Sequence, residues 1–425
     1  MPTPTTGDLF RPTDTEFLQD PYPAYARLRA EAPIAWYDGW GAWIVTRHRD
    51  VTALLRDRRL GRVMHQPAPR AEPPAAPTPP TPTSPAASSP PATPSPHAAF
   101  DAIQAGSLLE IEPPDHTRVK QAVQEVFTPR HVRALRGRVE ALVEGLLDAV
   151  EARGEREFDL LRDFAEPVPV TVIAELLGVP EADRHRLLPW SKAIIGMFEP
   201  ERTLAMASAA DAAAGEFAAY VRALMAAKRA RPGDDLLSRM VVVHDADPAR
   251  LTEGEVVANA ILFLNAGHEA VVNVIGNGML ALLRHPEQLR ELRADPGLLA
   301  TAIEEMMRYD SPLQFFERYV LEDLVFEGHA WPRGTRLCLY YAAANRDPET
   351  FDDPDRFDLR RDPNPHLAFG LGVHYCIGAP LARLELGVAL QALLRRFPSL
   401  ALVGAPPRFQ PRNVFRYLTE LRVRA

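Results

Sequence analysis

Phe369-Gly370-Leu371-Gly372-Val373-His374-Tyr375-Cys376-Ile377-Gly378, continued by Ala379-Pro380-Leu381-Ala382-Arg383-Leu384-Glu385-Leu386, is the stretch on which the fold turns. Its glycines surround one of only two cysteines in the chain. Glycine opens backbone conformations closed to other residues and lets a flat ligand lie against the main chain, a use that fits Gly370, Gly372 and Gly378. The apolar periodicity after the cysteine, with a proline near the first turn, predicts a helix. Cys376 then sits just before a helix N-terminus, where unpaired N–H groups and the dipole favour a thiolate over a thiol.

A single cysteine is most often a small buried hydrophobe, and a glycine-rich loop is most often a turn. Six specified residues at fixed spacing point instead to a socket for haem iron bound by the sulfur of Cys376, a ligand whose electron donation promotes O–O cleavage. The run resembles the cytochrome P450 family, whose pattern Phe-Gly-x-Gly-x-His-x-Cys-x-Gly is matched at every defined position. The likeness covers most of the chain from about His116 to Glu385, and weakly Asp20-Pro21-Tyr22-Pro23. It implies a mainly α fold with small β-sheets, and haem b between a long central helix and the helix after the cysteine. Phe369, His374, Cys376 and Gly378 would be its contacts in the loop, with Cys376 the metal ligand.

With 425 residues, 46% hydrophobic and 24% charged, the chain has ample material for a core. No composition boundary divides it, so one domain over residues 1–425 is expected. A net charge of -8 argues against a general nucleic-acid binder. Two distant cysteines offer no disulfide framework and suit a reducing cytoplasm. Signal-peptide regions and an 18-residue apolar run are both missing from the sequence, so neither export nor a membrane anchor is predicted. Within the resemblance this points to the soluble bacterial, cytoplasmic type.

One segment departs from the pattern. Residues 67–97 hold thirteen prolines among Ala, Ser and Thr, too little apolar matter to offset ordering, and predict a disordered or polyproline-like insertion. The resemblance places it where the family carries part of its substrate lid. Elsewhere most segments read as helices, with a β-rich patch in Arg318 to Tyr341, where Leu324-Val325-Phe326 and Arg336 to Tyr341 flank the turn-forming Trp331-Pro332-Arg333-Gly334.

The longest helix begins at Thr252-Glu253-Gly254-Glu255, a capping box, with Leu251 and Val256 at staple spacing, and stops at His285-Pro286. It would span roughly 50 Å and be buried in its middle. The polar interruption Asn265-Ala266-Gly267-His268-Glu269-Ala270 therefore needs a reason, since a buried carboxylate without a partner is costly. The segment resembles the family's Ala-Gly-x-Asp/Glu-Thr, which lies over the oxygen-binding face of the haem. Ala266, Gly267 and Glu269 match, and the acid would deliver protons. Ala270 stands where the family has threonine. Its missing hydroxyl would be replaced by a substrate hydroxyl, an ordered water or a side chain such as His268, and substrate-assisted delivery is the expectation.

Glu305 and Arg308, three apart on a predicted helix, share one face. With Pro354-Asp355-Arg356-Phe357 downstream they resemble the family's Glu-x-x-Arg network, which implies a structural triad of Glu305, Arg308 and Arg356. Haem propionates need cations or donors, and the resemblance offers His116, Lys120, Arg318 and His374. Lys120 departs from the arginine more usual there. By position, Leu262, Phe263, Leu313, Phe315, Phe316, Val414 and Phe415 would line a mostly apolar substrate pocket suited to a terpenoid, polyketide, fatty acid or aromatic.

The chain contains no dinucleotide fingerprint and no flavin or iron–sulfur module, so electrons would come from a ferredoxin or flavodoxin with its reductase. Arg130, Arg133, Arg136, Arg138 and Arg383 would form the docking face. The expected activity is insertion of one atom of O2 into a lipophilic substrate. A peroxide-driven peroxygenase and a non-catalytic haem carrier or sensor are the alternatives.

Overall fold

The central helix, Glu253–Arg284, forms where its capping residues place it. In the computed structural model, which describes residues 6–62 and 97–425, the backbone N–H of Glu255 donates to Thr252 Oγ1 at 3.2 Å, and that of Thr252 donates to Glu255 Oε2 at 2.8 Å. Leu251 and Val256 are both fully buried. At the other end Pro286 cannot continue the ladder, and the His285 N–H returns to the carbonyls of Ala281 and Leu282. Although this helix has the length and hydropathy to cross a membrane, most of it is buried inside the protein. Its neighbours are the helices Pro167–Leu176, Leu204–Ala230, Leu299–Tyr309 and Ala379–Arg396. Each Leu, Ile or Val it buries completely contributes roughly 1.5–3 kcal/mol, so the apolar stripe that predicted the helix also anchors it.

Two sheets tie distant parts of the chain together. In the larger, the strand order runs Ile34–Tyr37, Ala42–Val45, Arg336–Leu339, Phe316–Val320, Leu60–Gly61. Ala42–Val45 pairs in parallel with Arg336–Leu339, Ile44 opposite Cys338, and the other pairings are antiparallel. The alternation of strand faces buries Arg318 and Val320 together. In the smaller sheet Arg422–Arg424 lies between Glu157–Asp159 and Ala401–Leu402.

The β-rich patch is where the sequence places it, with one change of partner. Leu324–Phe326 pairs with His329–Trp331 around Glu327 and Gly328, both at positive φ, so the hairpin turn is Glu327-Gly328. Trp331 is a strand residue, and the turn before Arg336–Leu339 uses Gly334 at φ +95°. The expected disordered insertion, and any part it plays in a lid, lies outside the described residues except for His97.

Candidate active site

The cysteine loop is shaped by glycines, two of them in the left-handed region. Gly370 and Gly372 have φ of +66° and +76°, and a Cβ on Gly372 would lie 2.3 Å from the carbonyl oxygen of Leu55. The loop then turns back on itself, the Cys376 N–H donating to the Phe369 carbonyl at 3.0 Å, and the helix Ala379–Arg396 starts with Pro380 in its first turn. Burial pushes the Cys376 thiol up, although the amides of Gly378 and Ala379 and the charges of Arg383 and Lys120 pull the other way.

Cys376 opens onto a cavity of about 300 Å³. The cavity reaches the central helix at Leu262, Phe263, Asn265, Ala266, Gly267, Glu269 and Ala270, and Leu313, Phe316, Phe369, Gly378 and Phe415 also line it. Gly267 has a second reason to be bare: a Cβ there would lie 3.0 Å from Cγ1 of Ile173 on the helix Pro167–Leu176. Phe315 and Val414, expected in the pocket, are core residues instead. Phe315 is fully buried, stacked on Tyr340 at 4.6 Å and on Trp40 at 5.5 Å. Leu313 and Phe415 form a β-bridge, and the neighbouring backbone N–H of Val414 is held by Glu199. Extended chain sends adjacent side chains to opposite faces, so one residue of each pair is lost to the core. Ile173, Ile194 and Phe198 line the cavity too, and sequence reasoning missed them because they sit in apolar helices indistinguishable from core.

At the cavity edge stand four basic side chains, His116, Lys120, Arg318 and His374. His116 and His374 have ring centroids 4.8 Å apart, and His374 Nε2 lies 2.9 Å from Glu112 Oε1. Lys120 Nζ donates to the Val373 carbonyl at 3.3 Å. Arg318 is 4% exposed, donates to the carbonyl of Glu317, and forms no ion pair among the described residues. Burial pulls its pKa down, and for His116 burial, His374 and Lys120 together pull it to about 4. An anion set among these groups would reverse both effects.

Glu305 and Arg308 are fully buried and joined by two hydrogen bonds, Arg308 Nε to Oε2 at 2.7 Å and Nη2 to Oε1 at 2.8 Å. Arg308 also donates to the carbonyls of Asn345, Pro354 and Arg356. The Arg356 assignment needs correction, for its side chain is exposed and only its carbonyl enters the network. The second arginine is Arg361, 3.3 Å from Glu305 Oε2, because the turns after Phe357 carry the chain back toward the helix. The Asp358 N–H and Asn364 Nδ2 complete the acid's partners.

Glu269 touches two cavities. Besides the apolar one it lines a polar cavity of about 340 Å³ shared with Glu166, Lys192, His268, Asn273 and Arg412. Burial raises its carboxyl to about 7, against the pull of Lys192. His268 Nδ1 bonds the Leu264 carbonyl at 2.8 Å, and its Nε2 is 3.6 Å from Glu269. Burial lowers the His268 pKa, and the ring lines the polar cavity and not the apolar one. Ala270 lines the apolar one.

A model of the family described as cytochrome P450 matches residues 154–416. The chain belongs to the cytochrome P450 family. It is 40% identical over 415 residues to the cytochrome P450 monooxygenase PikC of Streptomyces venezuelae, covering 96% of this chain and 92% of that one. It is also 40% identical to the vitamin D(3) 25-hydroxylase of Pseudonocardia autotrophica, covering 95% and 93%. The solved structure of P450BioI in complex with acyl carrier protein ligated to hexadec-9Z-enoic acid matches with a TM-score of 0.86 at 35% identity, over 97% of this chain and all of that one.

A cytochrome P450 is an oxygen-incorporating oxidoreductase whose haem b is held by a cysteine thiolate. The residues here fit that group. The cavity has a sulfur on one wall and small side chains on the central helix. At its edge Arg318 is a buried cation with no carboxylate bound to it among the described residues, as a propionate site requires. His116, Lys120 and His374 would hold the same edge, and Cys376 the metal.

Proposed function

We propose that this cytochrome P450 oxidises a lipophilic small molecule, takes its electrons from a separate ferredoxin or flavodoxin with its reductase, and relies on a substrate hydroxyl where Ala270 lacks one. The observation that carries the reading is the single cavity on which Cys376, Glu269 and Ala270 all open. When bound, haem supplies oxygen activation at a thiolate-ligated iron, one oxygen atom entering the substrate and the other leaving as water.

The chain's own residues supply the rest. Phenylalanine and branched aliphatic side chains exclude water from the cavity and bind apolar surface. Glu269, poised near neutrality, takes up a proton at its carboxylate from the polar cavity and presents it on the other side. With alanine at 270, a hydroxyl on the substrate is the group placed to pass it on. Vitamin D(3) and a hexadecenoyl chain, which the names of two relatives mention, are substrates or ligands of the lipophilic kind that this reading assigns here.

Arg136 is paired with Glu140 and Arg383 with Glu304, so Arg130, Arg133 and Arg138, all exposed, carry the proposed docking of the electron donor. The test supplies haem-loaded protein with a lipophilic substrate under two regimes. Reductant with a surrogate ferredoxin and its reductase should give product, and peroxide alone should not. Equal product from peroxide alone supports the peroxygenase alternative, and no product under either regime supports a carrier or sensor.

A further inference from the structure

Three of the described residues line both cavities: Ile195, Glu269 and Phe415. Glu269 is the acid assigned to proton transfer between them. The other two are apolar, and they form a wall between a polar cavity that suits water and an apolar one that does not. Ile195 ends the helix Leu187–Ile195, whereas Phe415 stands in the extended chain that bridges to Leu313. More than two hundred residues of chain separate them, so the wall exists only where their segments are brought together.

Glu199 brings them together. It lies four residues after Ile195, beyond the turn Gly196–Phe198, and is 6% exposed. Its Oε2 accepts from the Asn413 N–H at 2.8 Å, and its Oε1 from the Val414 N–H at 3.3 Å. Burial raises its pKa, against the pull of the amides of Asn413, Val414 and Phe415 and of the Arg412 charge. A carboxylate taken out of water needs donors, and consecutive main-chain N–H groups meet that need while fixing where their segment lies. The residue next to the anchored pair is Phe415 itself.

We infer that Glu199 is a positioning residue: by fastening residues 413–415 to the end of the helix Leu187–Ile195, it keeps Ile195 and Phe415 together as a wall against water, so that protons reach the substrate side through Glu269. The inference rests on the function proposed for these two cavities, and deepens it. Water crossing the wall would bring protons that neither Glu269 nor the substrate controls. Reduced oxygen would then leave as hydrogen peroxide, O2 with two electrons and two protons giving H2O2, in place of product.

The test uses full-length haem-loaded protein and two readouts. In hydrogen exchange the amides of 413–415 should be protected in wild type and exchange roughly tenfold faster or more in Glu199→Ala, the worth of a hydrogen bond to a charged group, with the helix Glu253–Arg284 unchanged. In turnover with a surrogate ferredoxin and its reductase, the probe is whichever of testosterone, vitamin D(3) and hexadec-9Z-enoic acid shifts the haem absorbance. Glu199→Ala should roughly double the peroxide formed per reducing equivalent while the Kd of the probe stays within about threefold. Glu199→Gln should fall between, since its amide oxygen can accept one N–H and its NH2 group cannot accept the other. Unchanged exchange, or faster exchange with unchanged peroxide, overturns the inference while the proposed function stands. Peroxide that rises only together with a loss of probe binding marks a general loosening and overturns it as well. Should no probe shift the haem absorbance of wild type, or no reducing equivalents be consumed, the proposed function falls and the inference with it. If Glu199→Ala does not load haem, Glu199→Gln decides by the same two readouts.

Discussion

Arg383 closes a fork on Glu304, Nε to Oε1 at 2.6 Å and Nη2 to Oε2 at 2.8 Å, while its guanidinium lies 4.5 Å from the centre of the Phe369 ring. Glu304 also meets His366 Nε2 at 3.0 Å, and these hydrogen bonds outweigh burial to hold its carboxyl at about 2. Two adjacent acids of one helix thus hold the cysteine loop from two directions, Glu304 through Arg383 and Glu305 through Arg308 and the turns that follow.

Arg383→Ala should loosen the loop without unfolding the protein. The pair is partly exposed, so solvent screening keeps its worth to about 1 kcal/mol. Haem release during denaturant titration should occur at lower denaturant, with Arg383→Lys intermediate because lysine keeps the charge and loses the fork. An unchanged release midpoint would count against the tether.

Glu305→Ala is far more severe. Arg308 would keep its charge at zero exposure with no carboxylate beside it, which typically costs about 3–5 kcal/mol. Purified protein should carry little haem, judged by the ratio of haem to protein absorbance. Full loading of that variant would refute the network's role.

A pH dependence follows from Glu269, whose carboxyl is raised from its ordinary 4.5 to about 7 by burial. Below pH 4.5 the folded and unfolded chains are both protonated there. Between 4.5 and 7 the unfolded chain loses its proton first, so the stability held by the neutral acid declines as pH rises. The whole amount, about 3 kcal/mol, is gone above 7. Glu269→Gln keeps the group neutral and should gain on wild type across that window. Thermal melts at pH 4.5 and pH 8 should show the variant's advantage only at the higher value.

Ala270→Thr restores a hydroxyl beside Glu269. Product formed per reducing equivalent should rise on substrates without a hydroxyl and change little on hydroxylated ones. Equal response of both classes would remove the idea that substrate stands in for the alcohol.

The parts of this protein legible in its sequence are those where chemistry demands one residue at one place. The Thr252 capping box, the His285-Pro286 stop and the glycines around Cys376 are of that kind, since each answers a local backbone need. Arg361 was invisible because its meeting with Glu305 depends on how the turns after Phe357 fold back, not on any spacing. The choice of Phe316 over Phe315, and of Phe415 over Val414, is a matter of which strand face turns inward, a question that neighbours distant in sequence decide.

Gly372 touches the Leu55 carbonyl across more than three hundred residues of chain, and the helix His48–Arg56 thereby acts as a chock behind the cysteine loop. The strands Ala42–Val45 and Leu60–Gly61, on either side of that helix, are sewn into the sheet by partners from residues 316 to 339. The loop that carries Cys376 is therefore finished only when the beginning and the last third of the chain have met. Contacts so far apart form late and close the longest loops. Haem capture should then report on completed assembly: a ribosome-bound chain lacking its last third lacks Arg318, His374 and Cys376, and the absorbance of a thiolate-ligated cofactor should appear only after the first strands and the last third of the chain have come together.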